Sequence, residues 1–312
     1  MKILKIFFIG ILLFQIGCQV DPQEDIADSD WNKDRNVLQI KFNNQIGDAK
    51  IVRIDDASGS IDITVNQSGN LDMSNIKVET MILSYGASSS VAAGQGMDFN
   101  NASNTNVLTV TSQTGQVRKY TVKVNPFKES ILGIYDIDDL VLYGGTGPEY
   151  GGSAVLPLAS KPWIWPASDG PTAELDNTLE FTLEGITQDG NTYGAVINNS
   201  GADGKYANFL YIGSPQTDVN KFYRKIPKGT AKWARNYTAN TITFTFADGS
   251  TAVGTLKSAG AVDLGNGKSK TIVNQSLEFV LNGVDDYVNI YSDYDKFVKN
   301  PRRFWIDVTK KP

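Results

Sequence analysis

The sequence predicts an all-β protein with two consecutive antiparallel domains, the second larger than the first. Apolar residues alternate with polar ones in short runs such as Leu38, Ile40 and Phe42, and a period of two is typical of half-buried strands. Turn-forming sequences such as Asp248-Gly249 separate these runs. Long apolar stretches with a helical period are missing, so helices are expected to contribute little.

Residues 1–17 are predicted to be a signal peptide. Lys2 and Lys5 precede an apolar run of about fifteen residues, which is shorter than the ~20 residues that a membrane-spanning helix needs. The run ends at Ile16-Gly17-Cys18, which resembles the lipobox of bacterial lipoproteins, although Gln15 stands where leucine is usual. The resemblance implies that the thiol of Cys18 takes a diacylglycerol and attaches the protein to a membrane; a cleaved signal with a chance cysteine is the alternative.

Residues 18–36 are predicted to be an acidic tether, because they carry many carboxylates and few apolar side chains. An acidic stretch after a lipidated cysteine also resembles the surface-export signals of Bacteroidetes lipoproteins, with a plain disordered linker as the alternative. Cys18 is the only cysteine among 312 residues, so the exported domains cannot form an intramolecular disulfide.

The composition excludes several function classes. The net charge is −5 and no basic cluster is interleaved with aromatics, which argues against nucleic-acid binding. The chain has no histidine, which excludes Ser-His-Asp and Cys-His catalysis and His-ligated zinc. No cofactor is expected. Two acidic groups could donate oxygens to calcium, although neither matches an EF-hand loop: Asp136, Asp138 and Asp139, and Asp293 with Asp295.

Residues 37–126 are predicted to form a small antiparallel sandwich, since several short alternating runs follow one another. The segments that carry a family resemblance are Ile61-Asp62-Ile63-Thr64-Val65, Asp72-Met73-Ser74-Asn75, Leu83-Ser84-Tyr85-Gly86-Ala87, Asp98-Phe99 and Gly115–Val124. In this order they resemble the Ig-like N-terminal domains of Bacteroidetes surface lipoproteins that accompany starch-utilisation-type outer-membrane systems. The resemblance implies an Ig-like spacer and transfers no ligand-binding residue.

Residues 127–312 are predicted to form the second domain, after a linker that begins at Pro126. Leu179, Phe181 and Leu183 alternate with polar residues, as do Leu277, Phe279 and Leu281. These patterns favour a β-sandwich of the jelly-roll or lectin-like type, with a lipocalin-like barrel as the alternative.

The segment Pro162-Trp163-Ile164-Trp165-Pro166 is the first candidate binding site. In an extended conformation, which the prolines favour, Trp163 and Trp165 would project to one face and form a flat apolar platform for a sugar ring. Stacking on an indole needs no charge and would suit a neutral polysaccharide. Alternatively, both tryptophans close the end of the sandwich or pack on the first domain.

A second candidate lies near the C-terminus. Carboxylates accept hydrogen bonds from sugar hydroxyls and guanidinium groups donate them, and both occur together with tyrosine in this segment. The residues assigned to sugar binding are Asp293, Tyr294, Asp295 and Arg302. A solvated loop between two strands is the alternative interpretation.

These observations predict a cell-surface lipoprotein of the outer membrane that faces the exterior and binds a glycan or polysaccharide for outer-membrane uptake proteins. Two alternatives remain, an adhesin or structural surface protein and a glycoside hydrolase. Glu174 and Glu180 faintly resemble the acidic strand motif of laminarinase-type hydrolases, but on one strand they would lie about 20 Å apart, beyond the ~5–9.5 Å that a catalytic pair uses.

Overall fold

The computed structural model describes residues 30–312, so Cys18, the predicted signal peptide and most of the predicted tether lie outside the described residues. The chain divides into two compact units. Of the described residues, the first contains those up to Lys41, Ala49–Asp62 and Ser74–Lys123, and the second contains Phe42–Asp48, Ile63–Met73 and Val124–Pro312. The prediction of an all-β protein is confirmed, with 51% of residues in strands and 9% in helices. Within residues 30–312, no helix has the length and apolar character needed to cross a bilayer.

A 3-10 turn, Asp30–Lys33, precedes the N-terminal strands. These are β1 (Val37–Phe42), β2 (Gln45–Arg53), β3 (Ser58–Asn66), β4 (Ile76–Leu83), β5 (Ser88–Ser89), β6 (Gly96–Met97), β7 (Thr105–Thr111) and β8 (Val117–Phe127). They form a three-stranded sheet, β1-β4-β6, and a five-stranded sheet, β2-β3-β8-β7-β5. The predicted alternation is confirmed in β3, where Ile61, Ile63 and Val65 are at most 1% exposed.

Eleven more strands lie between Gly133 and Lys310. They are β9 (Gly133–Gly144), β10 (Ala154–Pro157), β11 (Thr178–Ile186), β12 (Thr192–Asn199), β13 (Leu210–Tyr211), β14 (Thr217–Asp218), β15 (Gly229–Asn236), β16 (Thr241–Thr245), β17 (Thr251–Gly265), β18 (Lys268–Val280) and β19 (Pro301–Lys310). The helices are single turns: 3-10 turns at Pro148–Tyr150, Leu158–Ser160, Pro162–Ile164 and Pro171–Glu174, an α-helical turn at Asn220–Tyr223 and a π-helical turn at Asp295–Lys299.

Eight of these strands close into an antiparallel barrel. Each of β9, β11, β12, β15, β16, β17, β18 and β19 pairs with the next, and β19 pairs back with β9, where Trp305 lies opposite Val141 and Ile306 opposite Leu140. A jelly roll would require two separate sheets. The structure therefore selects the barrel, which the sequence left as the alternative for this domain.

The barrel wall follows the predicted period. Leu179 and Phe181 of β11 are at most 3% exposed, whereas Leu183 is half-buried because a bulge between Leu183 and Gly185 interrupts the alternation. The predicted hairpin at Asp248-Gly249 is confirmed: it joins β16 to β17, and Gly249 has φ +83°. That left-handed conformation is one that glycine adopts without strain.

Aromatic side chains fill the barrel. Phe181 lies edge-on to Trp233, with ring centroids 5.9 Å apart, and Phe279 stacks on Phe304 at 6.4 Å. An interior void beside Leu179 measures about 10 Å³, which is room for about one water molecule. Such a void cannot hold a sugar, so any sugar-binding site lies outside the barrel interior.

Four connections lie at one end of the barrel, which we call the rim, and they include the two that carry the predicted sites. It is the end at which β9 and β18 finish and β11 and β19 begin, so it carries the β9–β11 and β18–β19 connections. Both predicted sugar-binding segments belong to these connections.

Candidate functional site

The predicted two-indole platform is wrong. Pro162–Ile164 forms a 3-10 turn rather than an extended segment, and the Trp165 N–H donates to the Pro162 carbonyl. Three residues complete a 3-10 turn, so neighbouring side chains point in directions about 120° apart and residues 163 and 165 do not share a face as they would on a strand. The Trp163 side chain is 64% exposed, and Trp165 is 2% exposed.

Trp165 is a core residue. Its ring makes edge-on contacts with Phe209, Tyr223 and Phe297, at centroid distances of 6.5, 6.1 and 5.7 Å. Its Nε1–H donates to the Leu158 carbonyl at 3.0 Å, which satisfies the one polar group of the buried indole. Trp165 therefore offers no open ring face on which a sugar could stack, and its assignment to a stacking platform is corrected.

Trp163 and Asp293 meet at the rim through Lys161. The Lys161 Nζ lies 5.1 Å from the centroid of the Trp163 ring and 3.1 Å from Asp293 Oδ1, across 132 positions of sequence. The ammonium covers one face of the indole, and the ion pair with Asp293 holds the ammonium there. The result is an exposed, partly immobilised aromatic ring next to a donor and an acceptor of hydrogen bonds.

Lys296 stands close to this group. Its Nζ donates to the carbonyls of Tyr291 and Ser292, the second at 3.2 Å. Burial lowers the pKa of Lys296 from its usual range and Lys161 adds to that effect, while Asp293 and Asp295 oppose it. The rim thus combines two cations with carboxylates within electrostatic reach.

Tyr294 is half-buried and its ring packs on Tyr211, with centroids 5.7 Å apart. The Lys299 Nζ lies 5.7 Å from the centroid of the same ring. Tyr294 therefore supports the rim, and its predicted role in sugar binding stays a prediction.

Asp295 is buried, at 0% exposure, and its assignment to a sugar-binding surface is wrong. Its carboxylate accepts two hydrogen bonds of 2.7 Å from Thr146, one from the backbone N–H and one from the hydroxyl. Thr146 follows β9 and Asp295 precedes β19. The pair therefore joins the β9–β11 connection to the β18–β19 connection.

Arg302 has a similar structural role. Its Nε–H donates to the Gly145 carbonyl at 2.8 Å, and its Nη2 lies 2.7 Å from Asp285 Oδ1. The guanidinium is partly exposed, so a direct contact with a glycan stays a prediction.

Two exposed tyrosines lie beside this group: Tyr291, which belongs to the predicted C-terminal cluster without an assigned role, and Tyr150, which the sequence analysis did not single out. Tyr150 is 65% exposed and Tyr291 60% exposed, and the Tyr291 hydroxyl donates to the Tyr150 carbonyl at 3.3 Å. Tyr291 has φ +76°, a conformation that costs a bulky residue about 1–3 kcal/mol and often occurs at functional sites. The sequence does carry one indication that Tyr150 is exposed. It lies between Gly147 and Gly151 in a glycine-rich loop, and loops run over the protein surface.

The carboxylates weighed for hydrolysis do not converge. Glu174 Oε1 lies 2.6 Å from Arg224 Nη1 and accepts a hydrogen bond from the Ala207 N–H at 2.8 Å, beside the interior void. Glu180 alternates with the inward-facing Leu179 and Phe181 and so belongs to the outer face of the wall. Glu174 ends the 3-10 turn Pro171–Glu174 that precedes β11 and is held inside by Arg224, whereas Glu180 lies on the outer face of β11.

Among residues 30–312, no group of three or more acidic, histidine or cysteine side chains is arranged to hold a metal ion. Asp136 pairs with Lys311 at 2.9 Å, and Asp138 accepts a hydrogen bond from Thr309 at 2.6 Å. Burial is the main cause that raises the pKa of Asp139 from its usual range.

The fold and rim define an all-β protein in which a small sheet-rich N-terminal part precedes an aromatic-filled barrel with an exposed indole at one end. Residues 38–124 match the family model described as SGBP, N-terminal, a glycan-binding family. The match covers the N-terminal strands β1–β7 and most of β8, and it does not extend to the barrel. Comparison with curated proteins finds no match.

Two solved structures show distant similarity. A Bacteroides fragilis protein has 14% identity and a TM-score of 0.23 over 30% of this chain and 97% of its own. A Bacteroides ovatus protein of unknown function has 10% identity and a TM-score of 0.16 over 87% of this chain and 93% of its own. With TM-scores this low, neither structure bears on the fold or the function.

Proposed function

We propose that this protein captures glycan at the bacterial cell surface, without catalysis, through the rim of its C-terminal barrel. The observation that carries the proposal is the Trp163 indole, which is 64% exposed while Lys161 and Asp293 fix its surroundings. The match of residues 38–124 to a glycan-binding family supports the same function.

The chemistry of the rim suits a sugar. Because Lys161 covers one face of the indole, a pyranose ring would stack its C–H face on the other. The Asp293 carboxylate would accept hydrogen bonds from ring hydroxyls and Lys161 would donate them. The two charges compensate each other, which favours a neutral polysaccharide.

The N-terminus supplies the proposed location. Cys18 would carry the lipid, and residues 18–36 would act as a tether on the outer face of the outer membrane. The β1–β8 region would serve as a spacer, and captured glycan would pass to outer-membrane uptake proteins. The lipobox-like sequence at Ile16-Gly17-Cys18 supports this assignment.

Native affinity electrophoresis through gels that contain a panel of neutral polysaccharides tests the proposal. We expect at least one polysaccharide to retard the wild-type protein, and the Trp163→Ala variant to migrate as it does in the empty gel. The matched control is Tyr85→Ala, which removes an aromatic side chain that is 76% exposed in the first unit. The control should be retarded like the wild type, and both variants should keep the wild-type circular dichroism.

Three outcomes would overturn the proposal in different ways. Retardation that survives in Trp163→Ala would move the site away from the rim. A wild type that no polysaccharide retards would favour an adhesin or structural protein. New reducing ends after incubation with a retarding polysaccharide would show hydrolysis instead of capture.

A further inference from the structure

A crevice opens next to Trp163 on the rim. Its volume is about 70 Å³, and its walls are formed by Ala159, Pro162, Trp165, Pro166, Gly170 and Thr172. Pro162 and Thr172 are exposed at its mouth, whereas Trp165 and Gly170 are buried at its floor. The family match does not extend to it, and Trp165, buried at its floor, is the one predicted sugar-binding residue that lines it.

We propose that this crevice binds an acetyl substituent of the captured glycan, so that the rim selects N-acetylated or O-acetylated sugars. The inference rests on the proposed function, because it assigns a second contact to a sugar that stacks on Trp163.

The size of the crevice fits an acetyl group. A water molecule needs about 10–15 Å³ in the same measure, so about 70 Å³ holds several atoms. An acetyl group has three heavy atoms, whereas a sugar ring with its hydroxyls is too large. The crevice therefore accepts a substituent and leaves the ring outside.

The lining favours a methyl group over a hydroxyl group. Pro162, Pro166 and Ala159 present only carbon atoms from their side chains, and the Trp165 Nε1–H is already bound by the Leu158 carbonyl. A hydroxyl group placed against these carbon atoms would lose its hydrogen bonds to water, which costs free energy. A methyl group makes no hydrogen bonds to water, so its transfer into the crevice is favourable. Thr172 at the mouth carries a hydroxyl that can donate to the acyl carbonyl.

The backbone that forms the crevice is conformationally restricted. Pro162 and Pro166 have restricted φ angles. A Cβ atom on Gly170 would lie 2.7 Å from the Pro166 carbonyl oxygen and 3.0 Å from the Trp165 Cβ, so this turn closes only around a glycine. A pre-formed cavity binds a small group without the entropic cost of ordering the loop.

The position links the crevice to the stacking surface. Pro162 lines the crevice and is bonded to Trp163, and consecutive Cα atoms are about 3.8 Å apart. Both side chains are exposed. A sugar ring on the indole can therefore extend an equatorial substituent across Pro162 into the mouth.

Isothermal titration calorimetry with pairs of glycans that share a backbone linkage and carry or lack acetyl groups tests the inference. The probes are hexa-N-acetylchitohexaose against cellohexaose, which has a hydroxyl where the first has an acetamido group, and acetylated xylan against the same xylan after mild alkaline deacetylation. In at least one pair we expect the acetylated member to bind at least about tenfold more tightly. A tenfold difference is the lower end of the discrimination that one carbon group gives in a hydrophobic pocket.

Ala159→Leu should fill the crevice and abolish this preference while leaving affinity for the unacetylated member unchanged. Ala239→Leu, at an exposed turn outside the rim, is the matched control and should keep the preference. Because Ala159→Leu could disturb folding, Thr172→Val provides a second variant at the mouth; it should reduce the preference while circular dichroism stays unchanged.

Equal binding of both members in every pair would overturn the inference and leave glycan capture intact. A preference that Ala159→Leu and Thr172→Val both retain would also overturn it, because the acetyl group would then bind elsewhere. A wild-type protein that binds neither member of any pair would also overturn the inference, and it would contradict the proposed function only if no polysaccharide of the electrophoresis panel retards it.

Discussion

Removal of Trp165 is expected to destabilise the barrel strongly, although removal of its neighbour Trp163 is not. Trp165→Ala deletes a fully buried indole that contacts three other aromatic rings and removes the shorter of the two hydrogen bonds that the Leu158 carbonyl accepts. Replacement of a buried tryptophan by alanine costs about 3–5 kcal/mol, which covers the lost transfer free energy and the cavity that remains. Since a domain of about 200 residues loses roughly 2–4 °C of Tm for each kcal/mol, we expect Tm to fall by about 6–20 °C.

Trp163→Ala should leave the free energy of unfolding within about 1 kcal/mol of wild type. Its exposed ring contributes mainly the cation–π contact with Lys161, which is worth about 0.5–1 kcal/mol at an exposed site. Urea denaturation followed by far-ultraviolet circular dichroism measures both variants without relying on tryptophan fluorescence. Trp165→Phe is the control that keeps most of the ring volume, and it should lose less than Trp165→Ala.

Two results would refute this reasoning. A Trp165→Ala variant that loses less than about 1 kcal/mol would mean that the indole is not a core residue. A Trp163→Ala variant as unstable as Trp165→Ala would mean that the exposed ring is required for folding, and loss of glycan binding could then not be attributed to stacking.

Arg224→Leu should lower the free energy of unfolding, measured by urea denaturation, by about 3–5 kcal/mol, because it leaves the buried Glu174 carboxylate without its cation. The double variant Arg224→Leu/Glu174→Leu should recover much of that loss. A small effect of the single substitution would contradict the buried ion pair. Burial, with a smaller effect of Glu129, raises the pKa of Tyr135 to about 12. A tyrosine whose folded-state pKa exceeds its unfolded value of about 10 stabilises the fold below that value and loses this contribution as pH rises through 12. The free energy of unfolding should therefore fall between about pH 10 and 12, with late tyrosinate absorbance in an alkaline titration; a flat profile would argue against the burial. Asp295→Ala should lower the free energy of unfolding by about 1–3 kcal/mol, because it leaves two hydrogen-bond donors of Thr146 unpaired. It should also make proteolysis of the β18–β19 connection faster than in Asp293→Ala. Equal proteolysis rates in the two variants would contradict the proposed role of Asp295 in holding this connection.

Local periodicity was sufficient for much of the fold. The alternation at Leu179 and Phe181 predicted an inward face, and Asp248-Gly249 predicted a hairpin, because both signals depend on neighbouring residues alone. The bulge after Leu183 was not predictable, since a bulge depends on how the partner strand pairs.

The tryptophan pair shows why a local motif can mislead. Proline restricts φ to about −65°, which suits an extended segment and also the first position of a helix. The sequence Pro162-Trp163-Ile164-Trp165 is therefore compatible with both conformations, and the structure adopts the 3-10 turn. The buried cluster of Phe209, Tyr223 and Phe297 then receives Trp165 and leaves Trp163 outside.

Two neighbouring aspartates near the C-terminus also differ in burial because their partners are distant in the chain. Asp293 and Asp295 look equivalent in the sequence, yet Asp293 pairs with Lys161 at the partly exposed rim while Asp295 is buried against Thr146. Their partners lie more than a hundred positions away. No local pattern encodes such a pairing.

The sequence by itself determined that this protein is built of strands, because the period of two and the turn residues act over a few neighbours. Only the tertiary structure decided that β19 returns to pair with β9, since those hydrogen bonds join strands far apart in the chain and close the sheet into a barrel. Closure fills the interior with aromatic side chains, so the surface that can meet a ligand is confined to the outside. The same closure carries Lys161 to Asp293 and leaves Trp163 exposed beside them on the rim.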